Sequence, residues 1–184
     1  MRKIAEKKKD NGKKGSLIVG GVLVVLMILS TLGYSFITRD DSTGNNLVEK
    51  YNGREFVMTG NFWKFNVGEE DFYLTYLPQN VSDVKVDGEF NFGDYSQKPL
   101  YFVNYNAASV EILQNLGQFV LRYQEACLGE CEEELELPAK DCSENLIIFV
   151  DGGEDKVWKN ESCVYISGDF IKSSDAFMYK LLGI

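Results

Sequence analysis

The side chains best suited to covalent chemistry in this chain are Cys127, Cys131, Cys142 and Cys163. Their spacings, with three, ten and twenty intervening residues, match neither the Cys-x2-Cys pairs of a zinc ribbon nor a Cys-x-x-Cys redox motif. An even count in an exported segment instead reads as two disulfides, and four cysteines allow three pairings. A two-residue hairpin at Gly152-Gly153 would set Cys142 opposite Cys163 at a non-hydrogen-bonded position, leaving Cys127 for Cys131. A second turn at Asn160-Glu161 would break that long hairpin, so the register argument stays open. The chain has no histidine, which removes the usual general base, the usual triad partner and the commonest zinc ligand.

Carboxylates are plentiful: 28 Asp and Glu stand against 19 Lys and Arg, for a net charge of −9. Carboxylate pairs alone can run glycoside hydrolysis, but no pair is singled out by its position in the sequence. The stretches Glu130–Glu136 and Asp151–Asp155 are oxygen-rich without EF-hand spacing, and read as solvated loops. Trp63 and Trp158, with nearby tyrosines, could line a sugar or peptide groove, although strand aromatics more often build core. Asn80-Val81-Ser82 and Asn160-Glu161-Ser162 are N-glycosylation sequons, making Asn80 and Asn160 candidate modification sites. No metal and no cofactor is implied.

What positions these groups begins with a membrane run. Residues 16–38 carry no charge over 23 positions, enough for a helix to cross a bilayer of about 30 Å. Residues 1–15 hold seven Lys or Arg against Glu6 and Asp10, a net of +5. The positive-inside bias keeps this basic tail in the cytoplasm and sends the rest outside, as a single-pass cell-membrane protein whose first partner is the lipid bilayer. The run is long for a cleaved signal peptide and offers only weak sites such as Thr31/Gly33. Lys14-Gly15-Ser16 resembles the cleavage site of archaeal prepilin-type signal peptides, whose retained helix packs into a filament. The exported part carries 26 acids against 12 basic residues, a balance that disfavours nucleic acid.

Residues 39–53 read as a linker, and residues 54–184 as one extracytoplasmic α+β domain with an antiparallel or mixed sheet and two helices. Strands are expected at 55–59, 62–67 and 72–77 as a meander, then at 99–105, 145–150, 156–159 and 163–167. Alternation places Trp63, Phe65 and Val67 on one face. A helix is expected over 107–126, capped by Asn106 and burying Val110, Leu113, Leu116, Val120 and Tyr123. A second spans 173–182, capped by Ser173 or Ser174 and stopped by Gly183. The strands at 100–105 and 145–150 are expected to lie parallel.

The C-terminal part, with Cys142-Ser-Glu-Asn-Leu-Ile-Ile, Glu161-Ser-Cys163-Val-Tyr-Ile and Asp175-Ala-Phe-Met-Tyr-Lys-Leu-Leu-Gly-Ile184, resembles a group of archaeal single-pass membrane proteins with a cysteine-containing outer domain. The resemblance covers roughly residues 100–184 and brings no activity, ligand or catalytic residue with it. The expectation is therefore a non-enzymatic, membrane-anchored envelope protein that binds a protein partner or builds structure. The alternatives are a pilin-like filament subunit and a carboxylate-based envelope glycan hydrolase.

Overall fold

The computed structural model describes residues 47–131 and 136–184, which form an α+β fold with two α-helices. The run 16–38 lies outside the described residues, among which no helix is long and apolar enough to cross a membrane. Four strands, β1 (Val48–Tyr51), β2 (Arg54–Thr59), β3 (Phe62–Val67) and β4 (Glu70–Leu74), make an antiparallel meander in sequence order. Strand β1 takes up residues from the stretch read as linker, turning into β2 through Asn52-Gly53, both with positive φ. In β3, Trp63 and Phe65 are buried while Asn66 is exposed, as the alternation requires.

The second sheet holds β5 (Lys85–Asp87), β6 (Pro99–Val103), β7 (Arg122–Glu125), β10 (Leu146–Val150), β11 (Lys156–Asn160) and β12 (Cys163–Ser167), in the order β5-β11-β12-β10-β6-β7. Strand β10 pairs parallel with both β6 and β12, whereas β11 runs antiparallel to β12. Between Leu146 and Phe149 every residue of β10 is buried, which is why this central strand reads as an unbroken apolar run. A two-residue parallel ladder, β8 (Cys127–Leu128) with β9 (Ala139–Lys140), lies apart from both sheets.

Helix α1 (Ala107–Leu116) starts at Asn106 with a capping box: Asn106 Oδ1 accepts from the Ala108 amide and Ser109 Oγ accepts from the Asn106 amide. It ends at Leu116, capped by Gly117, ten residues short of the periodicity-based expectation at 126. The following segment instead runs beside β6 as β7, so tertiary strand pairing overrides the helical pattern. Tyr123 and Val110, expected on the buried stripe, are 57% and 54% exposed. Helix α2 (Phe170–Leu182) begins three residues earlier than expected, because Asp169 rather than Ser173 or Ser174 accepts from a first-turn amide, that of Lys172. Gly183, with φ +72°, closes it in the left-handed conformation that glycine favours.

The helices fill the space between the two sheets. Every residue of α2 from Ser173 to Tyr179 is buried, a pattern of full enclosure rather than of a surface helix. Tyr179 packs on Phe56 and Phe65 of the meander, while Phe177 meets Phe90 and Tyr95, and Phe170 meets Phe149 of β10. The inner face of the six-stranded sheet joins this main core through Leu100, Phe102, Ile147, Phe149, Val164 and Ile166. The opposite face carries a smaller cluster of Tyr101, Ala126, Leu146, Ile148 and Cys163.

Candidate functional site: a buried acid pair beside a groove

Strand β4 ends the meander, so its outer edge has no neighbouring strand. Buried backbone amides and carbonyls left there without partners would each cost on the order of 1–3 kcal/mol. Polar side chains from the helices take the place of the missing strand. Asn115 of α1 accepts from the Tyr73 amide at 2.7 Å and donates to the Tyr73 carbonyl at 2.8 Å. One turn earlier, Glu111 accepts from the Thr75 amide at 2.8 Å and the Thr75 hydroxyl at 3.1 Å. From α2, Asp175 accepts from the Tyr76 amide at 2.7 Å, and the Tyr179 hydroxyl donates to the Tyr76 carbonyl at 2.6 Å.

This arrangement brings two carboxyl groups together in a nearly dry place. Asp175 is fully buried and Glu111 is 6% exposed. The hydrogen bonds they accept come from Thr75 and Tyr76 rather than from a cation, and Lys172 on the same helix turns to Asp83 and Asp155 instead. Burial, and then the Glu111 carboxylate, push the Asp175 carboxyl up to about 9, against a smaller opposing pull from the Tyr76 amide. Asp175 Oδ1 and Ser174 Oγ are the buried side-chain polar atoms without a hydrogen-bonding partner among the described residues. A proton on Asp175 removes one of two like charges and gives the carboxyl a hydrogen to donate. Asp175 is therefore the carboxyl held protonated at neutral pH. Burial, and after it the charges of Asp175 and Glu111, also raise the Tyr179 phenol, keeping it a donor to Tyr76.

Glu111 also reaches the wall of a groove of about 460 Å³. Its sides are Phe62, Tyr76, Val110 and Ile171, and its charged groups are Glu111 and Asp169. Glycosidic cleavage needs carboxyl groups roughly 5–10 Å apart with room for a sugar and a water, whereas Asp175 is fully buried and both carboxyls accept from Thr75 or Tyr76. This pair clasps backbone. Among the described residues no group of three or more Cys, Asp or Glu side chains is placed to hold a metal ion.

The cysteines lie elsewhere. Cys127 bonds Cys131, with Cα atoms 5.3 Å apart, and Cys142 bonds Cys163, at 4.9 Å. The hairpin premise for the second bond is corrected. Strands β10 and β11 are not neighbours, since β12 lies between them, and Leu146 rather than Cys142 is in register with Cys163. Cys142 arrives from the segment leading into β10, where its carbonyl accepts from the Ser162 amide at 3.0 Å. The Cys142–Cys163 bond closes the outer-face cluster, with Tyr165 and the stacked Trp158 beside it. Trp158 thus sits on the outer face of the sheet, and Trp63 is core.

Asn80 is exposed at the end of a 3-10 turn (Pro78–Asn80), and Asn160 is exposed at the end of β11, before Glu161 with φ +53°. In the acidic loop 151–155, Glu154 pairs with Lys85, and Asp155 binds Lys172 and the Asp169 amide, so these carboxylates have partners within the chain. The stretch 130–136 lies partly outside the described residues.

Sequence reading missed Glu111, Asn115 and Asp175. The available signal was Ala108, Ile112 and Leu116 at i, i+4 and i+8, a narrow buried stripe whose flank carries Glu111 and Asn115. No protein family matches the chain, and comparison with curated proteins and with solved structures finds no match.

Proposed function

We propose that this chain is a non-enzymatic envelope component, held in the membrane by residues 16–38 with its N-terminus in the cytoplasm, and displaying the α+β domain outside as a binding or structural module. The observation that carries the reading is the state of the cysteines: all four are bonded, in two disulfides. Such bonds persist in oxidising compartments and not in the cytosol. The basic tail before an uncharged run of 23 residues gives the same orientation by an independent route. The buried acids, the groups a carboxylate enzyme would need, are committed to backbone amides. On this reading Asn80 and Asn160, both exposed, stand on the glycan-accepting side.

Intact-mass analysis of the chain from native membranes, alkylated before and after reduction, tests this. Retention of residues 1–15, with four thiols that react only after reduction, supports an anchored outer domain. Free thiols in the unreduced chain would overturn the outside placement. A mature chain starting at Ser16 would replace the anchor with a filament stalk, as the Lys14-Gly15-Ser16 border allows.

A further inference from the structure

We propose that the groove between α1 and the start of α2 is the docking site for a basic side chain, the guanidinium or ammonium of a protein partner. This rests on the reading of the domain as a binding module and names the chemistry of its partner. Three features of the groove fit such an occupant. Its walls, Phe62, Tyr76, Val110 and Ile171, suit the methylene stem of Arg or Lys and include two aromatic rings. Its charged lining is acidic only, from Glu111 and Asp169, within an exported part that is itself strongly acidic. Behind Glu111, the fully buried Asp175 keeps an oxygen with no partner.

The groups facing the acid pair are Thr75 and Tyr76 from the chain after β4, and Tyr179 from α2, none of them cationic. A proton on Asp175 is therefore what removes one of the pair's two negative charges in the free domain. A cation seated against Glu111 supplies the missing positive charge from the groove side. Asp175 then loses its proton more easily, and binding of a basic side chain is coupled to proton release. The guanidinium fork matches the residual acceptor capacity of Glu111 better than an ammonium, which favours Arg over Lys.

Carboxyl carbon NMR on the full chain in lipid nanodiscs, labelled at Asp and Glu, tests this with N-acetyl-arginine methylamide and its neutral citrulline isostere as probes. The arginine probe should bind about tenfold or more tightly than the citrulline probe, as expected when a charge-assisted hydrogen bond is lost. Binding should move the Asp175 carbon from its protonated towards its ionised position at neutral pH. Asp169→Asn, which keeps the cap of α2, should weaken the arginine probe several-fold without changing the fold. Glu111→Gln should abolish the difference between the two probes. Equal affinity for arginine and citrulline, or an Asp175 signal unmoved at saturation, overturns the proposal. Tighter binding of spermidine than of the arginine probe would overturn the assignment to a protein side chain. None of these results bears on the membrane anchor, which the mass analysis decides separately.

Discussion

The two faces of the six-stranded sheet are secured in opposite ways. On the inner face α1 and α2 are joined to the meander by an interlocked set of hydrogen bonds around Glu111, Asn115 and Asp175. On the outer face the small cluster of Tyr101, Leu146 and Ile148 is closed by the Cys142–Cys163 bond. The difference follows from how much apolar area each side can bury. The inner face has two helices and a second sheet against it, so it can tolerate polar groups when most of them are satisfied. Among the described residues, the outer-face cluster draws only Ala126 and Cys142 from outside the sheet, and a thin cover gains from a covalent staple. One side should therefore respond to pH and the other to reductant.

The largest expected separation is in pH. Asp175 is protonated in the folded chain and ionised in the unfolded chain above the ordinary aspartate range, so folding takes up a proton across that window. Stability should then fall as pH rises, by about 1.4 kcal/mol per pH unit, or about 4 kcal/mol between about pH 5 and 8. The loss ends near pH 9, where the folded-state group itself ionises. Glu55 and Glu154, held lower by hydrogen bonds and charge from Lys50 and Lys85, titrate below this window and do not oppose the slope. Asp175→Asn keeps an acceptor for Tyr76 and a donor for Glu111, so denaturant midpoints of this variant should be nearly flat over the same range. An equal slope in both proteins would remove Asp175 from the account.

Next in size is the outer-face staple. Replacing Cys142 and Cys163 with Ser opens a loop of sequence separation 21 and should cost about 3 kcal/mol. The same change at Cys127 and Cys131, with separation 4, should cost about 2 kcal/mol at most. Chemical denaturation of the two double variants orders them, and a larger loss at the short loop would contradict the assignment of the main staple. The pH slope should survive in both, because the acid pair is on the other side of the sheet.

The smallest of these effects is at the strand edge. Asn115→Leu leaves the Tyr73 amide and carbonyl without partners and should cost about 2 kcal/mol. Hydrogen exchange at Tyr73 should accelerate in this variant while the amides of β10 keep their protection. Uniform acceleration across both sheets would mean that the edge is not held locally.

How much of this was legible in the chain differs between the same two regions. The apolar run 145–150 and the alternation in 62–67 announce their strands because burial is written directly into residue type. Asn106 and Gly183 announce helix ends for the same local reason, capping chemistry. The end of α1 was hidden, since whether Arg122–Glu125 continues a helix or joins a sheet depends on the free edge of β6, far away in sequence. The acid pair was hidden more deeply. Glu111 and Asp175 are separated by 64 positions, and only the packing of α1 against α2 buries Asp175 and sets Glu111 beside it, in that order the causes that raise it. For the cysteines, the antiparallel hairpin that argued for Cys142 and Cys163 does not exist. Parallel neighbours β10 and β12 bring the two residues together because Cys142 leads into β10 and Cys163 opens β12, strands that start at the same end of the sheet.

The most direct test of the clasp between the helices and the meander is the titration of Asp175 itself, followed by carboxyl carbon NMR in the folded chain without ligand. The account predicts a carboxyl still protonated at neutral pH, ionising only in the alkaline range near 9, shifted part of the way down by Glu111→Gln and reaching the ordinary range when unfolding removes its burial. An Asp175 carboxyl already ionised below about pH 5 in the folded protein, as for an unperturbed aspartate, would contradict it.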